Sequence, residues 1–136
     1  MHRLTVLAVP LFLLLAIRPA VGCKCAPPPP PQKALTGATA VFSGKVLKIE
    51  RAAPQRYSVT FKVGAIYKGV KTTKVDVATA TNSAACGVNF TVGKSYLVYC
   101  YGKDDLATNI CTRTKPLKQA KEDLKALGKG KAPAKQ

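Results

Sequence analysis

From Ala40 onward, apolar and polar residues alternate in short runs bounded by glycine, proline and acidic turns. Such alternation predicts strands, because successive side chains of an extended chain point to opposite faces. Val41, Ser43, Lys45, Leu47 and Ile49 interleave with Phe42, Gly44, Val46 and Lys48, a mixture expected of a strand partly covered on both faces. In Arg56–Tyr67 the alternation is cleaner, with Tyr57, Val59, Phe61 and Val63 set against Arg56, Ser58, Thr60 and Lys62. Lys68-Gly69 ends it as a turn, and Lys74–Thr79 follows as a third strand with Val75 and Val77 on one face. Ser95–Tyr101 and Ala107–Thr112 supply two more, joined through Gly102-Lys103-Asp104-Asp105. Five short strands without alternating helices predict a small barrel or Greek key.

The flanks read differently. Leu4–Ile17 is almost unbroken apolar, preceded by Arg3 and followed by Arg18-Pro19. It is shorter than the roughly 20 residues of a membrane span and fits the apolar region of a signal peptide. Ala20 and Gly22 stand at the small-residue positions before a cleavage that would make Cys23 the first mature residue. The expected organisation is a signal peptide over 1–22, a folded domain over 23–128 and a disordered basic tail over 129–136. Pro27–Pro31 forms a stiff polyproline ridge after Cys23-Lys24-Cys25-Ala26, since proline fixes φ and lacks a backbone donor. Gln32–Thr39 is short and contains alanine, enough for a helical turn or two. At the other end, Pro116 suits a first helical turn, Leu117, Ala120, Leu124 and Leu127 share one helical face, and Gly128 is the expected stop.

Composition narrows the chemistry. The chain carries 22 basic and 6 acidic side chains, a net charge of +16, and a single histidine, His2, which cleavage would remove. Without a mature histidine the usual serine and cysteine triads are unavailable, no glycine-rich phosphate loop appears, and the expectation is a non-enzyme. Asp104-Asp105 and Glu122-Asp123 read as turn and helix-surface charges. The 5 cysteines, Cys23, Cys25, Cys86, Cys100 and Cys111, suggest a disulfide framework of an exported domain, with at least one thiol left over. A structural zinc site is the weaker reading, for want of a second close cysteine pair. Tyr57, Phe61, Tyr96, Tyr99 and Tyr101 would suit a base-stacking platform, yet alternating strand positions favour the core, so no nucleic acid is expected. The basic surplus fits a sulfated or acidic polysaccharide better, and solubility alone would also account for it. Asn89-Phe90-Thr91 is a glycosylation sequon.

Cleavage before Cys23 would place a free α-amine beside the Cys23 carbonyl, a pair able to close a chelate ring on a Lewis-acidic metal. With a pKa of about 8, a useful fraction of that amine is neutral at physiological pH.

The stretch Cys23-Lys24-Cys25-Ala26-Pro27-Pro28 resembles the start of the tissue inhibitors of metalloproteinases. Further matches keep chain order: Tyr67-Lys68-Gly69, Cys86-Gly87, Gly93-Lys94, and Cys111 leading into the Leu117–Leu127 helix. The resemblance covers about residues 23–127 and only the inhibitory amino-terminal domain. It implies a mostly β fold, a five-stranded OB-like barrel of the netrin type with a C-terminal helix, stapled by disulfides Cys23–Cys86 and Cys25–Cys111. It also implies that Cys23 ligates the zinc of a target metalloproteinase and that Lys24 enters the adjoining specificity pocket. Cys25, Ala26, Pro27 and Pro28 would lie along the cleft, with Cys86-Gly87 beside them. The expected protein is thus a secreted monomeric metalloendopeptidase inhibitor with no cofactor of its own. Three departures stand out: Lys24 replaces a small hydroxyl residue, a third disulfide near Ala34–Gly37 is missing, and the proline run is longer with a shorter connection between the first two strands. Two alternatives use the same sequence: a non-inhibitory netrin-like module binding a protein or acidic polysaccharide, and lipid attachment at Cys23, for which Ala-Val-Gly-Cys weakly resembles a lipobox.

Overall fold

The computed structural model describes residues 22–134. The apolar run Leu4–Ile17 and the cleavage-site residue Ala20 lie outside the described residues, as do 135 and 136. Helix α1 (Pro31–Gly37) precedes strands β1 (Ala40–Ala53), β2 (Arg56–Lys68), β3 (Lys74–Ala80), β4 (Ser95–Cys100) and β5 (Lys115–Pro116), and helix α2 (Lys121–Leu127) follows. The strands form one antiparallel sheet in the order β3-β2-β1-β4-β5. A mostly β, five-stranded fold with a C-terminal helix and two disulfides is therefore what the chain adopts.

Alternation decides the layers. Phe42, Val46, Val59, Phe61, Val63, Val77, Tyr96 and Val98 point to one side and form the larger core. Val41, Leu97 and Tyr99 point to the other, where α1 contributes Ala34 and the C-terminal segment contributes Leu117, Ala120, Leu124 and Leu127. β1 is thus covered on both faces over its first half, as its mixed pattern predicts. Beyond Val46 its residues are mostly exposed. Four register shifts interrupt the β1–β2 ladder, between Val41/Phe42, Ser43/Gly44, Val46/Lys48 and Arg51/Ala53. Each extra residue bends the strand and increases its twist.

The expected closure is not made: the sheet is open rather than a barrel. After β4 the chain swings back so that Ala107 bridges Tyr101 on one side and Ala78 of β3 on the other, both as isolated bridges. Pairing stops there because Asn109 pulls the following residues into a turn, its side-chain Oδ1 accepting from the Cys111 N–H at 2.9 Å. The segment Ala107–Thr112 is consequently not a strand, and Lys115–Pro116 takes the fifth place in the sheet.

The helix also starts later than its pattern predicts. Pro116 ends β5, Leu117–Gln119 form a 3₁₀ turn, and the α-helix begins at Lys121. Its apolar face is the expected one, and Gly128 ends it with φ 71°. Pro31, the last of the proline run, is buried as the first residue of α1, where its missing N–H costs nothing. The basic segment after the helix makes an unanticipated contact: Lys131 and Ile66 exchange two backbone hydrogen bonds of 2.8 Å. No helix among the described residues is long and apolar enough to cross a membrane.

Candidate functional site: a clamped proline strap

Residues 22–30 have no regular secondary structure and run exposed along the molecule, with only Cys23 half-buried. Two disulfides hold them. Cys23 is bonded to Cys86 and Cys25 to Cys111, with Cα separations of 5.1 and 5.0 Å. The bridges lie side by side, the Cys23 and Cys111 sulfurs 3.7 Å apart. Cys23, Cys86 and Cys111 thus bring three sulfurs within 4.8 Å of one another, but disulfide sulfurs offer no thiolate to a metal. Cys100 is the thiol left over, fully buried in the larger core. Burial pushes it up to about 12, so it is almost never the reactive thiolate.

The receiving loops are built for this clamp. Asn82 caps a short 3₁₀ turn (Ser83–Ala85), its Oδ1 accepting from the Ala85 N–H at 2.9 Å. Cys86 follows in the left-handed region, φ 65°. Gly87 is required: a Cβ there would stand 2.1 Å from the Ala80 carbonyl oxygen. The Ile110 N–H donates to the Cys86 carbonyl at 2.9 Å, tying the two cysteine-bearing loops together. Lys24, Ala26, Pro27 and Pro28 are therefore presented outward from a doubly anchored base, and Cys86-Gly87 lies directly beneath Cys23. Lys24 makes no ion pair among the described residues.

A second anchor escaped the sequence reading. Arg113 Nη1 donates to the Pro29 carbonyl at 3.1 Å, and its Nε and Nη2 grip the two Asp123 oxygens. Asp123 also accepts from Lys115 Nζ at 2.8 Å and the Tyr99 hydroxyl at 3.0 Å. It is completely buried, which corrects its reading as a helix-surface charge. Burial alone would raise its pKa, but the hydrogen bonds from Arg113, Lys115 and Tyr99 outweigh that and hold it below its ordinary value. The Tyr99 hydroxyl is pushed up, first by burial and then by the Asp123 charge. One signal was available: Asp123 stands three residues after Ala120 and four before Leu127, on the apolar stripe itself. Gln32 Nε2 donates to the Ala126 carbonyl and joins α1 to α2 behind the strap.

Of the aromatic residues weighed as a stacking platform, Phe61, Tyr96 and Tyr99 are buried, Tyr57 is half-buried and Tyr101 is 37% exposed. They form no common surface. No protein-family model matches the chain, and no curated protein matches it.

Proposed function

We propose that the chain is a secreted inhibitor of zinc metalloendopeptidases that acts through the strap beginning at Cys23. The observation that carries this reading is the paired clamp: Cys23 and Cys25, one residue apart, are bonded to different loops, so the exposed stretch from Lys24 to Pro28 leaves a fixed base. Once cleavage frees Cys23, its neutral amine and carbonyl chelate the target's catalytic zinc and displace the water that would attack substrate. The five prolines and two disulfides remove most of the ordering cost that a flexible peptide would meet on entering a cleft. Lys24 then projects into the pocket beside the zinc. A buried lysine without a partner is costly, so the favoured targets carry an acid in that pocket. Arg113 supports the strap from below through Pro29.

The test compares the mature chain beginning at Cys23 with one extended by a single alanine. The extended form should lose inhibition of zinc metalloendopeptidases while keeping its melting temperature. Equal inhibition by both forms overturns the chelation mechanism. Absence of inhibition by the mature form across a panel that includes enzymes with acidic pockets overturns the inhibitory function and leaves the interaction-module reading. Lys24→Thr should shift preference toward apolar pockets.

A further inference from the structure

Three lysines stand abreast on the sheet. Lys45 of β1 is the direct partner of Lys62 of β2, and Lys62 is the direct partner of Lys74 of β3. Antiparallel partners share a face, and all three residues are exposed. The same row continues to exposed Ser95 of β4, the partner of Lys45. Beyond it lies a surface depression lined by Lys94, Ser95, Lys118 and Gln119 among others. With strands about 4.8 Å apart, the row sets a positive charge on each of three neighbouring strands.

No ion pair of the described residues neutralises it. Two acids share this face and both are engaged by neighbours outside the row: Glu50 pairs with Lys48 at 2.8 Å, and Asp76, next to Lys74 along β3, accepts from the Thr60 hydroxyl at 2.5 Å. Like charges directly opposite one another destabilise a sheet. A lysine on an edge strand protects against unwanted pairing, which accounts for Lys74. It does not account for Lys45 and Lys62, which stand on interior strands.

We infer that this row is a binding surface for a linear sulfated polysaccharide lying across the strands. Lysine ammoniums are hydrated point charges suited to sulfate groups, and releasing the polymer's counterions drives association. A single-stranded nucleic acid fits the surface less well, because such binding uses aromatic side chains under the bases. Here Phe42, Phe61, Phe90 and Tyr96 are stacked edge to face in the core on the opposite side of the sheet, at centroid distances of 4.8–5.4 Å. This inference stands independently of the inhibitory reading, since the row leaves Cys23 and Lys24 untouched.

The experiment measures binding of a heparin oligosaccharide to the full chain as a function of salt. Lys45→Gln/Lys62→Gln/Lys74→Gln is compared with a control of equal charge change on the helices, Lys33→Gln/Lys121→Gln/Lys125→Gln. The row variant should bind roughly tenfold more weakly or worse at about 0.15 M salt, with the salt slope reduced by about two to three, while the control stays within about twofold of the parent. Its melting temperature should equal or exceed the parent's, because repulsion is relieved; Lys62→Gln alone should shift binding in the same direction. Equal weakening of both triple variants, or none in the row variant, overturns the inference. So does oligothymidylate binding as tight as heparin's with the same loss in the row variant, which would reassign the surface to nucleic acid.

Discussion

The strap from Cys23 to Pro29 is solvent-exposed except at Cys23, and the ribbon of β1 and β2 is exposed over part of its length, yet opposite means keep them in place. Among the described residues the strap makes no backbone–backbone hydrogen bond, and its prolines have no N–H to give. Two disulfides and Arg113, with the Asp123 network behind it, anchor the strap, and the proline rings stiffen it between those anchors. The ribbon is paired residue by residue from Val41↔Lys68 to Ala53↔Arg56. Its backbone needs no help from side chains, so its outer face can carry charges that repel one another. A segment ordered by side chains has little freedom in which side chains it keeps. One ordered by its backbone can devote its surface to recognition.

The sharpest way to break this contrast is Asp123→Asn. It leaves the buried Arg113 with only the exposed Glu122 carboxylate, 3.1 Å away, as counter-charge and should cost about 3 kcal/mol in denaturant unfolding. The same residue gives the acid dependence a sign. Its folded pKa lies below the unfolded value of about 3.9, so its contribution is complete above that pH and is lost as pH falls through the folded pKa. The stability of Asp123→Asn should therefore decline less steeply below about pH 4 than that of the parent. A parallel acid profile in both proteins would show that Asp123 does not hold the network.

Removing one bridge should separate the two regions. Cys25→Ala/Cys111→Ala opens a link spanning 86 residues and should lower stability by about 2–4 kcal/mol. Trypsin should then cut after Lys24 far faster, while amide exchange in the β1–β2 ladder stays slow until global unfolding. Equal loss of protection in strap and ribbon would mean that the bridge holds the sheet as well. The smallest effect sharpens the comparison from the ribbon's side. Lys62→Thr removes the central charge of the row and places a good strand former there, and should stabilise the domain by about 0.2–1 kcal/mol. A destabilised Lys62→Thr would show that the lysine stem packs on the sheet and that this packing outweighs the repulsion.

Most of the strands were legible because half-buried alternation is written locally. Val59, Phe61 and Val63 point into the core as their spacing predicts. The failures cluster between Ala107 and Lys121, where local pattern and tertiary demand conflict. Ala107–Thr112 has strand-like composition, but the Asn109 turn and the bond from Cys111 to Cys25 take its backbone out of the sheet. Pro116 suits a helix start, yet its neighbour Lys115 is needed as the partner of Leu97. The cysteines and prolines of the strap were conspicuous in the sequence. Arg113 was not, because one basic side chain among many looks like any other until its burial is known, and Asp123 was marked only by its place on the apolar stripe.

By itself, the sequence determined the first four strands, the apolar face of the last helix, the stiffness of the proline run and the excess of positive charge. Each follows from local spacing or composition, which need only a few neighbouring residues. The tertiary structure alone decided that the sheet stays open, that Asp123 is buried under the strap, and that Lys45, Lys62 and Lys74 stand in one row. Those outcomes depend on register between distant strands, and a single bulge is enough to change which side chains meet.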